Sequence, residues 1–143
     1  MTDGDGPLPD RFAELLGITV TRQGPGRTTA ELQTGPQHAN PHGTLHGAVF
    51  YAVAGAAVAA AANDEDRSGI ITSVLVEYLL PVQIGDVLRA EVDPAATTER
   101  EEVFVARLLR RPAPSPTGGS DAPEELVAWA RARGTRRART TGA

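Results

Sequence analysis

The chain has 143 residues, of which 41% are hydrophobic and 22% are charged, as is ordinary for one soluble globular domain. It contains no cysteine, which excludes disulfide bonds, thiolate catalysis and cysteine-ligated metal sites. The net charge of −4 argues against a nucleic-acid-binding protein, because such proteins carry excess positive charge.

The N-terminal segment is acidic and rich in glycine and proline, without the basic and apolar regions of a signal peptide. Residues 1–9 are therefore predicted to be a disordered lead-in, and the cytoplasm is the expected location. Asp10 is the predicted N-cap of a short helix over 11–16, which Gly17 ends. The large apolar residues of this helix fall on one face, namely Phe12, Leu15 and Leu16.

Alternating apolar and polar residues predict strands over 18–22 and 27–33, joined into a hairpin by a Gly-Pro-Gly turn. A further predicted strand, over 70–80, is rich in β-branched residues, which indicates a central strand covered on its helix side. The remaining strands are predicted over 87–92, 102–110 and 126–135.

An alanine-rich segment over 47–63 predicts a long helix, because alanine is the best helix former. The segment has no polar face, so we expect it to be buried on all sides. It is too short and too weakly hydrophobic for a membrane span. Residues 35–45 precede it as a loop, since Pro41 disfavours helix at Asn40 and Gly43 permits unusual backbone conformations.

These elements predict an α+β domain over 10–135, with an antiparallel sheet around one central helix. Residues 111–123 are rich in proline, glycine and serine and are predicted to be a flexible insertion. Residues 136–143 form an arginine-rich tail. A single sheet around one helix leaves an open edge and an apolar face, which favours a homodimer or homotetramer.

Gly47 is the first residue of the predicted central helix. Its backbone N–H has no partner within the helix and points beyond the helix N-terminus, where the dipole favours an oxygen with negative charge. Such a group can polarise a carbonyl during acyl transfer.

The segment Asn40-x-x-Gly43-Thr44-Leu45-His46-Gly47, followed by a helix of small residues, resembles the signature of hotdog-fold acyl-CoA thioesterases of the PaaI-like type. A Tyr-x-x-Pro strand end over 78–81, followed by Gly85-Asp86, agrees with that family, and so does the last strand. The resemblance covers about Phe12 to Thr135. It implies a curved antiparallel sheet wrapped around one long buried helix, with active sites at the interface of two subunits.

The resemblance also implies an activity, the hydrolysis of an acyl thioester carried by CoA or by a carrier protein, without a cofactor. Gly47 would polarise the thioester carbonyl, while His46 and Asn40 would position groups around it. Each residue has a structural alternative, since His46 could cap loop carbonyls and Asn40 could form a turn. Five arginines between Arg131 and Arg139 would suit CoA phosphates, although a solvated terminus is the more ordinary interpretation.

Gly55 departs from the family pattern, in which a catalytic Asp or Glu stands nine residues after the motif histidine. The protein could bind thioesters without hydrolysing them, or use Glu77, His42 or His46 as the base. Gly55 could instead leave room for an acyl group or a water, with catalysis resting on the polarised carbonyl. It could also serve only to let the helix pack closely on the sheet.

Three further residues on the strand over 70–80 are candidates for contact with the substrate. Thr72 and Ser73 lie near the position where family members carry a hydroxyl that positions the nucleophile or water. Glu77 shares a strand face with Ser73, Leu75 and Leu79, and one face of the strand meets the helix while the other meets solvent or a partner subunit. We expect Glu77 to point outward, because burial of an unpaired carboxylate is costly.

A metal site is not predicted. His38, His42 and His46 are spaced for one face of a helix, but Pro41 and Gly43 disfavour a helix there. Two other functions remain open. One is a non-hydrolytic protein that binds an acyl thioester or a small ligand as an accessory to a biosynthetic or degradative pathway. The other is dehydration, which ranks last because it needs a histidine with a partner acid in the site, and the sequence shows no such pair.

Overall fold

The computed structural model describes residues 8–113 and 122–140. Six strands form one antiparallel sheet in the order β1-β2-β5-β6-β7-β4, and two short strands, β3 and β8, pair separately. The elements are α1 (Arg11–Leu16), β1 (Thr19–Gly24), β2 (Arg27–Gln33), α2 (Gly47–Ala62), β3 (Arg67–Ser68), β4 (Ile71–Tyr78), β5 (Val87–Thr97), β6 (Glu101–Arg111), β7 (Glu125–Thr135) and β8 (Arg137–Ala138).

The long helix α2 packs on one face of the sheet and contacts all six of its strands. Small residues line the sheet beneath it, with Ala30 of β2 paired to Ala90 of β5, and Ala106 of β6 paired to Ala130 of β7. Alanine on both surfaces lets the helix approach the sheet closely. The predicted α+β architecture of one antiparallel sheet around one helix is confirmed.

The first helix begins and ends as its sequence predicts. Asp10 caps it, with Oδ1 accepting a hydrogen bond of 2.9 Å from the Ala13 N–H, and Gly17 ends it at a φ of 86°. The helix does not bury the apolar face that carries Phe12 and Leu15, since both residues are exposed. It buries Ala13 instead. The helix is a short one, and it approaches α2 through its smallest side chain.

The expectation that α2 is buried on all sides is wrong. The sheet covers one side only, and on the opposite side Ala48 and Tyr51 are exposed, Tyr51 to 48%. Alanine and glycine tolerate both water and the core, so the lack of polar residues did not reveal which side is covered. The helix ends at Ala62, one residue before the predicted end, with Asn63 as its C-cap.

The prediction of a central strand over 70–80 is also wrong, since β4 pairs only with β7 and forms an edge of the sheet. Its apolar composition has another origin. Val74 and Val76 are half-buried on the helix side, whereas Leu75 on the other face is 55% exposed. One edge of the sheet therefore carries free backbone groups beside exposed apolar side chains.

The strand β5 continues past its predicted end at residue 92 and through Pro94, with a shift of register between Pro94 and Ala96. The predicted lead-in over 1–9, the insertion over 111–123 and the tail over 136–143 lie wholly or partly outside the described residues. Where the tail is described, Arg137–Ala138 pairs with Arg67–Ser68, so regular structure extends past the predicted boundary at 135.

Ion pairs fix the C-terminal end of α2. Arg67 contacts Asp64 at 2.9 Å and Glu102 of β6 at 2.9 Å, and the Glu102 side chain is only 3% exposed. Burial lowers the pKa of Arg67, but its bonds to Asp64 and Glu102 outweigh this and raise the pKa above the ordinary value. Arg67 therefore stays charged. Among the residues that the structure describes, no helix is long and apolar enough to cross a membrane.

Candidate functional site

Asn40 organises the loop before α2. Its Oδ1 accepts hydrogen bonds from the His42 N–H at 2.9 Å and the Thr44 N–H at 3.1 Å. Its Nδ2 donates to Thr44 Oγ1 at 2.9 Å and to the Leu45 carbonyl at 3.4 Å. These bonds support the interpretation of Asn40 as a turn former, and its contact with a thioester remains a prediction.

His38 holds this loop against the first helix. The ring is buried; Nδ1 accepts from the Gly35 N–H at 2.9 Å, and Nε2 lies 3.0 Å from the Leu16 carbonyl. The His38 carbonyl accepts from the His46 N–H at 2.8 Å. Both ring nitrogens are therefore engaged in holding the loop, and the loop fixes the backbone that leads into α2.

His46 is exposed and caps α2 through its ring. Its backbone is extended, with φ −62° and ψ 135°, and Nδ1 accepts a hydrogen bond of 3.0 Å from the Ala48 N–H. Because Nδ1 is the acceptor, a neutral ring carries its proton on Nε2. His46 therefore presents an N–H donor at the start of the helix, which suits it to bind an oxygen rather than to act as a base.

Gly47 presents the free backbone amide at the same place. The Ala48 N–H bonds the His46 ring and the Val49 N–H bonds the His46 carbonyl at 2.9 Å. The Gly47 N–H has no acceptor within the described parts of the chain. Since the helix dipole adds to its charge, this amide can receive a partly negative oxygen.

Tyr78 supports the helix start from β4 and was missed by the sequence analysis as a site residue. Its hydroxyl donates to the Gly47 carbonyl at 2.9 Å, and its ring meets Phe50 edge-on with centroids 5.3 Å apart. A Cβ at position 47 would lie 3.3 Å from this hydroxyl. The Tyr-x-x-Pro strand end was the available signal, but the sequence does not show which residue the tyrosine contacts.

Gly55 faces a cavity and not the sheet. A Cβ built at this position would meet no atom of the described residues within 4 Å. The cavity has a volume of about 370 Å³ and lies between α1 and α2. The explanation that Gly55 permits close packing of the helix on the sheet is therefore wrong, because no residue in the described parts of the chain lies within 4 Å of a Cβ placed there.

Two cavity residues were also missed by the sequence analysis. Tyr51 stands four residues before Gly55 on the same helix face, a spacing that could have revealed it. Asp10 reaches the cavity from the cap of α1, with Oδ1 already bonded to the Ala13 N–H. No pattern in the sequence brings Asp10 to α2, since that proximity depends on the tertiary fold.

The structure does not bring the β4 candidates to the helix start within one chain. Thr72 and Ser73 lie six and five residues before Tyr78, about 17–20 Å away along the strand. Thr72 Oγ1 donates to the Arg133 carbonyl at 3.1 Å. Glu77 is exposed as expected, and because its neighbour Tyr78 points toward α2, Glu77 points to the opposite face. Any contact of these residues with a substrate remains a prediction.

The free groups at the helix start thus form one arrangement. The Gly47 N–H and the His46 Nε2–H are both donors at the positive end of α2. His42 is exposed nearby in the loop, where its backbone N–H bonds Asn40. The site can polarise a carbonyl oxygen, but α2 supplies no carboxylate beside it.

Comparison with known proteins gives matches in structure and none in sequence. No family model matches the chain, and no curated protein matches it. A mutant of the phenylacetic acid degradation protein PaaI from Thermus thermophilus superposes with a TM-score of 0.76 at 24% identity, covering 90% of this chain and all of that one.

Two further solved structures have similar scores. The E. coli PaaI protein gives a TM-score of 0.75 at 21% identity, covering 90% of this chain and 85% of that one. A thioesterase from Haemophilus influenzae gives 0.70 at 18% identity, covering 89% and 82%. The chain therefore has the hotdog fold in the form seen in PaaI and related thioesterases, as its motif predicts.

Proposed function

We propose that this chain hydrolyses acyl thioesters, with acyl-CoA as the substrate and the cytoplasm as its location. The observation that carries the proposal is the Gly47 N–H at the first turn of α2, which has no acceptor among the residues that the structure describes. The similarity in fold to thioesterases supports it. The same proposal includes a homodimer or homotetramer, since the exposed side of α2 and the β4 edge leave the site open on one side.

The proposed mechanism begins with the carbonyl oxygen of the thioester, which accepts hydrogen bonds from the Gly47 N–H and from His46 Nε2–H. Attack by water places a negative charge on this oxygen, and both bonds strengthen as the charge develops. Collapse of the intermediate breaks the C–S bond and gives a carboxylic acid and a free thiol. Asn40 and Tyr78 act indirectly, because they hold the loop and the first turn of α2 in place.

Gly55 limits the rate in this proposal. Because α2 carries no carboxylate, it supplies no base to accept the proton of the attacking water beside the two donors. We therefore expect slow turnover that rests on carbonyl polarisation. A protein that binds acyl-CoA analogues with no turnover would instead be the non-hydrolytic binder.

A substitution at Gly47 tests the role of the amide directly. Gly47→Pro removes the N–H and adds a ring, and the local backbone tolerates it, since proline is favoured at the first helical position and the extended backbone of His46 suits a residue before proline. Gly47→Ala is the matched control, because it introduces the same Cβ near Tyr78 and keeps the N–H.

We expect kcat/KM to fall about 100-fold or more in Gly47→Pro and to change little in Gly47→Ala. The released CoA thiol can be measured without background, since the chain has no cysteine. A folded Gly47→Pro variant that hydrolyses acyl-CoA as fast as Gly47→Ala would refute the proposed role of the amide.

A further inference from the structure

No side chain of residues 8–113 or 122–140 fills the cavity beside Gly55. Glycine is unfavourable in the interior of a helix relative to alanine, and an added Cβ here would meet open space. The glycine keeps the cavity larger than any other residue would at this position. This volume is therefore available to a molecule that enters it.

The walls of the cavity are apolar for most of their area. They include Phe12 of α1 and Ile18, and they include Ala48, Tyr51 and Ala52 on the exposed side of α2. The volume of about 370 Å³ falls within the range of small-molecule pockets, about 300–1,000 Å³. A carboxylate at position 55 would place a charge among these walls, whereas glycine leaves them neutral.

The position of the cavity relates it to the helix start. Ala48 lines one end and directly follows Gly47, while Gly55 lies seven residues further, about 10 Å along the helix. A thioester whose oxygen is bound at the Gly47 N–H has its acyl carbon beside Ala48. The rest of its acyl group can then follow the exposed side of α2 into the cavity.

We infer that the cavity between α1 and α2 is the binding pocket for the acyl group of the substrate, and that Gly55 is the residue that makes it deep enough for chains longer than acetyl. The inference rests on the proposed function. Asp10 adds a selectivity, since its carboxylate at the cavity wall repels acyl groups that end in a carboxylate.

Binding of S-alkyl-CoA thioethers tests this pocket without turnover, because a thioether cannot be hydrolysed. Calorimetry with ethyl, hexyl and decyl thioethers should give an affinity for the wild type that rises about three- to four-fold for each added methylene that becomes buried. An affinity that is independent of chain length would overturn the inference without any variant.

Gly55→Leu should abolish the gain from the hexyl and decyl chains and leave the binding of the ethyl thioether unchanged. Ala60→Leu is the matched control, since it adds the same side chain to a half-buried position of α2 outside this cavity, and it should bind all three thioethers like the wild type. Equal behaviour of the two leucine variants, both shown to be folded by circular dichroism, would overturn the inference.

The outcomes for the pocket and for hydrolysis are distinguishable. Chain-length-dependent binding that Gly55→Leu removes, in a protein that hydrolyses no thioester, would support the pocket and refute the hydrolase. Hydrolysis that needs the Gly47 N–H, with equal kcat/KM for acetyl-, hexanoyl- and decanoyl-CoA in wild type and Gly55→Leu, would support the hydrolase and refute the pocket.

Discussion

Gly55 stands where a catalytic carboxylate would be expected, so α2 supplies hydrogen-bond donors to the proposed site but no base. An aspartate at this position has room, because its Cβ would meet no described atom within 4 Å. The carboxylate would stand on the exposed side of the helix, two turns after the Gly47 amide. The residue therefore offers a direct way to add the missing group.

We expect Gly55→Asp to raise acyl-CoA hydrolysis severalfold or more, because a carboxylate on this face can accept a proton, through intervening water, from the water that attacks the thioester. Gly55→Asn is the control, since it has nearly the same shape without the charge. Steady-state thiol release with both variants decides the question. No gain in a folded Gly55→Asp variant would argue against the assignment of the site.

The single residues of the site differ in how far the sequence predicted them. The free amide of Gly47 and the outward position of Glu77 follow from local rules, the start of a helix and the alternation of a strand. Tyr78 was missed because its contact with Gly47 joins residues 31 apart in the chain. The role of Asn40 was ambiguous for a similar reason. An asparagine before Pro41 is compatible both with a turn and with a contact to the substrate, and the sequence does not distinguish the two.

At the scale of elements, the sequence predicted the helices and most strands closely, because capping residues, turns and periodicity are local. It placed β4 in the centre of the sheet, although β4 is an edge strand. Composition reports whether the faces of a strand are apolar, and it does not report how many neighbours the backbone has. The exposed side of α2 was missed in the same way, because its alanines suit either environment.

Ion pairs between elements make one further prediction. Glu124, just before β7, bonds Arg89 of β5 at 3.0 Å, and this hydrogen bond holds the pKa of Glu124 below its ordinary value. A lowered pKa in the folded state means that the charged carboxylate stabilises the fold. This contribution to stability is complete at pH values above the pKa that the Glu124 carboxyl has in the unfolded chain. It is lost as the pH falls through the lower pKa of the same group in the folded protein.

We expect Glu124→Gln to lower the free energy of unfolding at pH 7 by about 1 kcal/mol or less, since the pair is partly exposed. The difference from the wild type should shrink as the pH is lowered toward about 3. Urea unfolding across this range measures it. Glu65→Gln, at an exposed position, is the control, and an equal loss in both variants at all pH values would contradict the role of the Arg89 bond.

At the scale of the whole molecule, the fold was predictable and the assembly is a prediction. The sheet has two edges, β1 and β4, and exposed apolar side chains lie on and beside the second. These residues are Ile70, Leu75, Tyr78, Leu79 and Leu80. An apolar edge strand of this kind pairs readily with another chain, and here it borders the start of α2.

We expect the chain to self-associate through the β4 edge, so that Leu75→Asp shifts it toward the monomer, since burial of a new charge is costly. Thr21→Asp, on the opposite edge strand, should leave the association unchanged. Sedimentation velocity over a range of protein concentrations measures both variants. Equal association constants for the two would place the contact elsewhere.

The histidine that caps α2 has a consequence for the adaptability of the protein. One imidazole ring both begins the central helix and, in the proposed mechanism, touches the reacting oxygen. A stronger cap such as serine or aspartate would raise the melting temperature and remove the reactive donor. Substitutions of His46 that are selected for heat resistance would therefore lower turnover, and substitutions selected for turnover would limit the melting temperature.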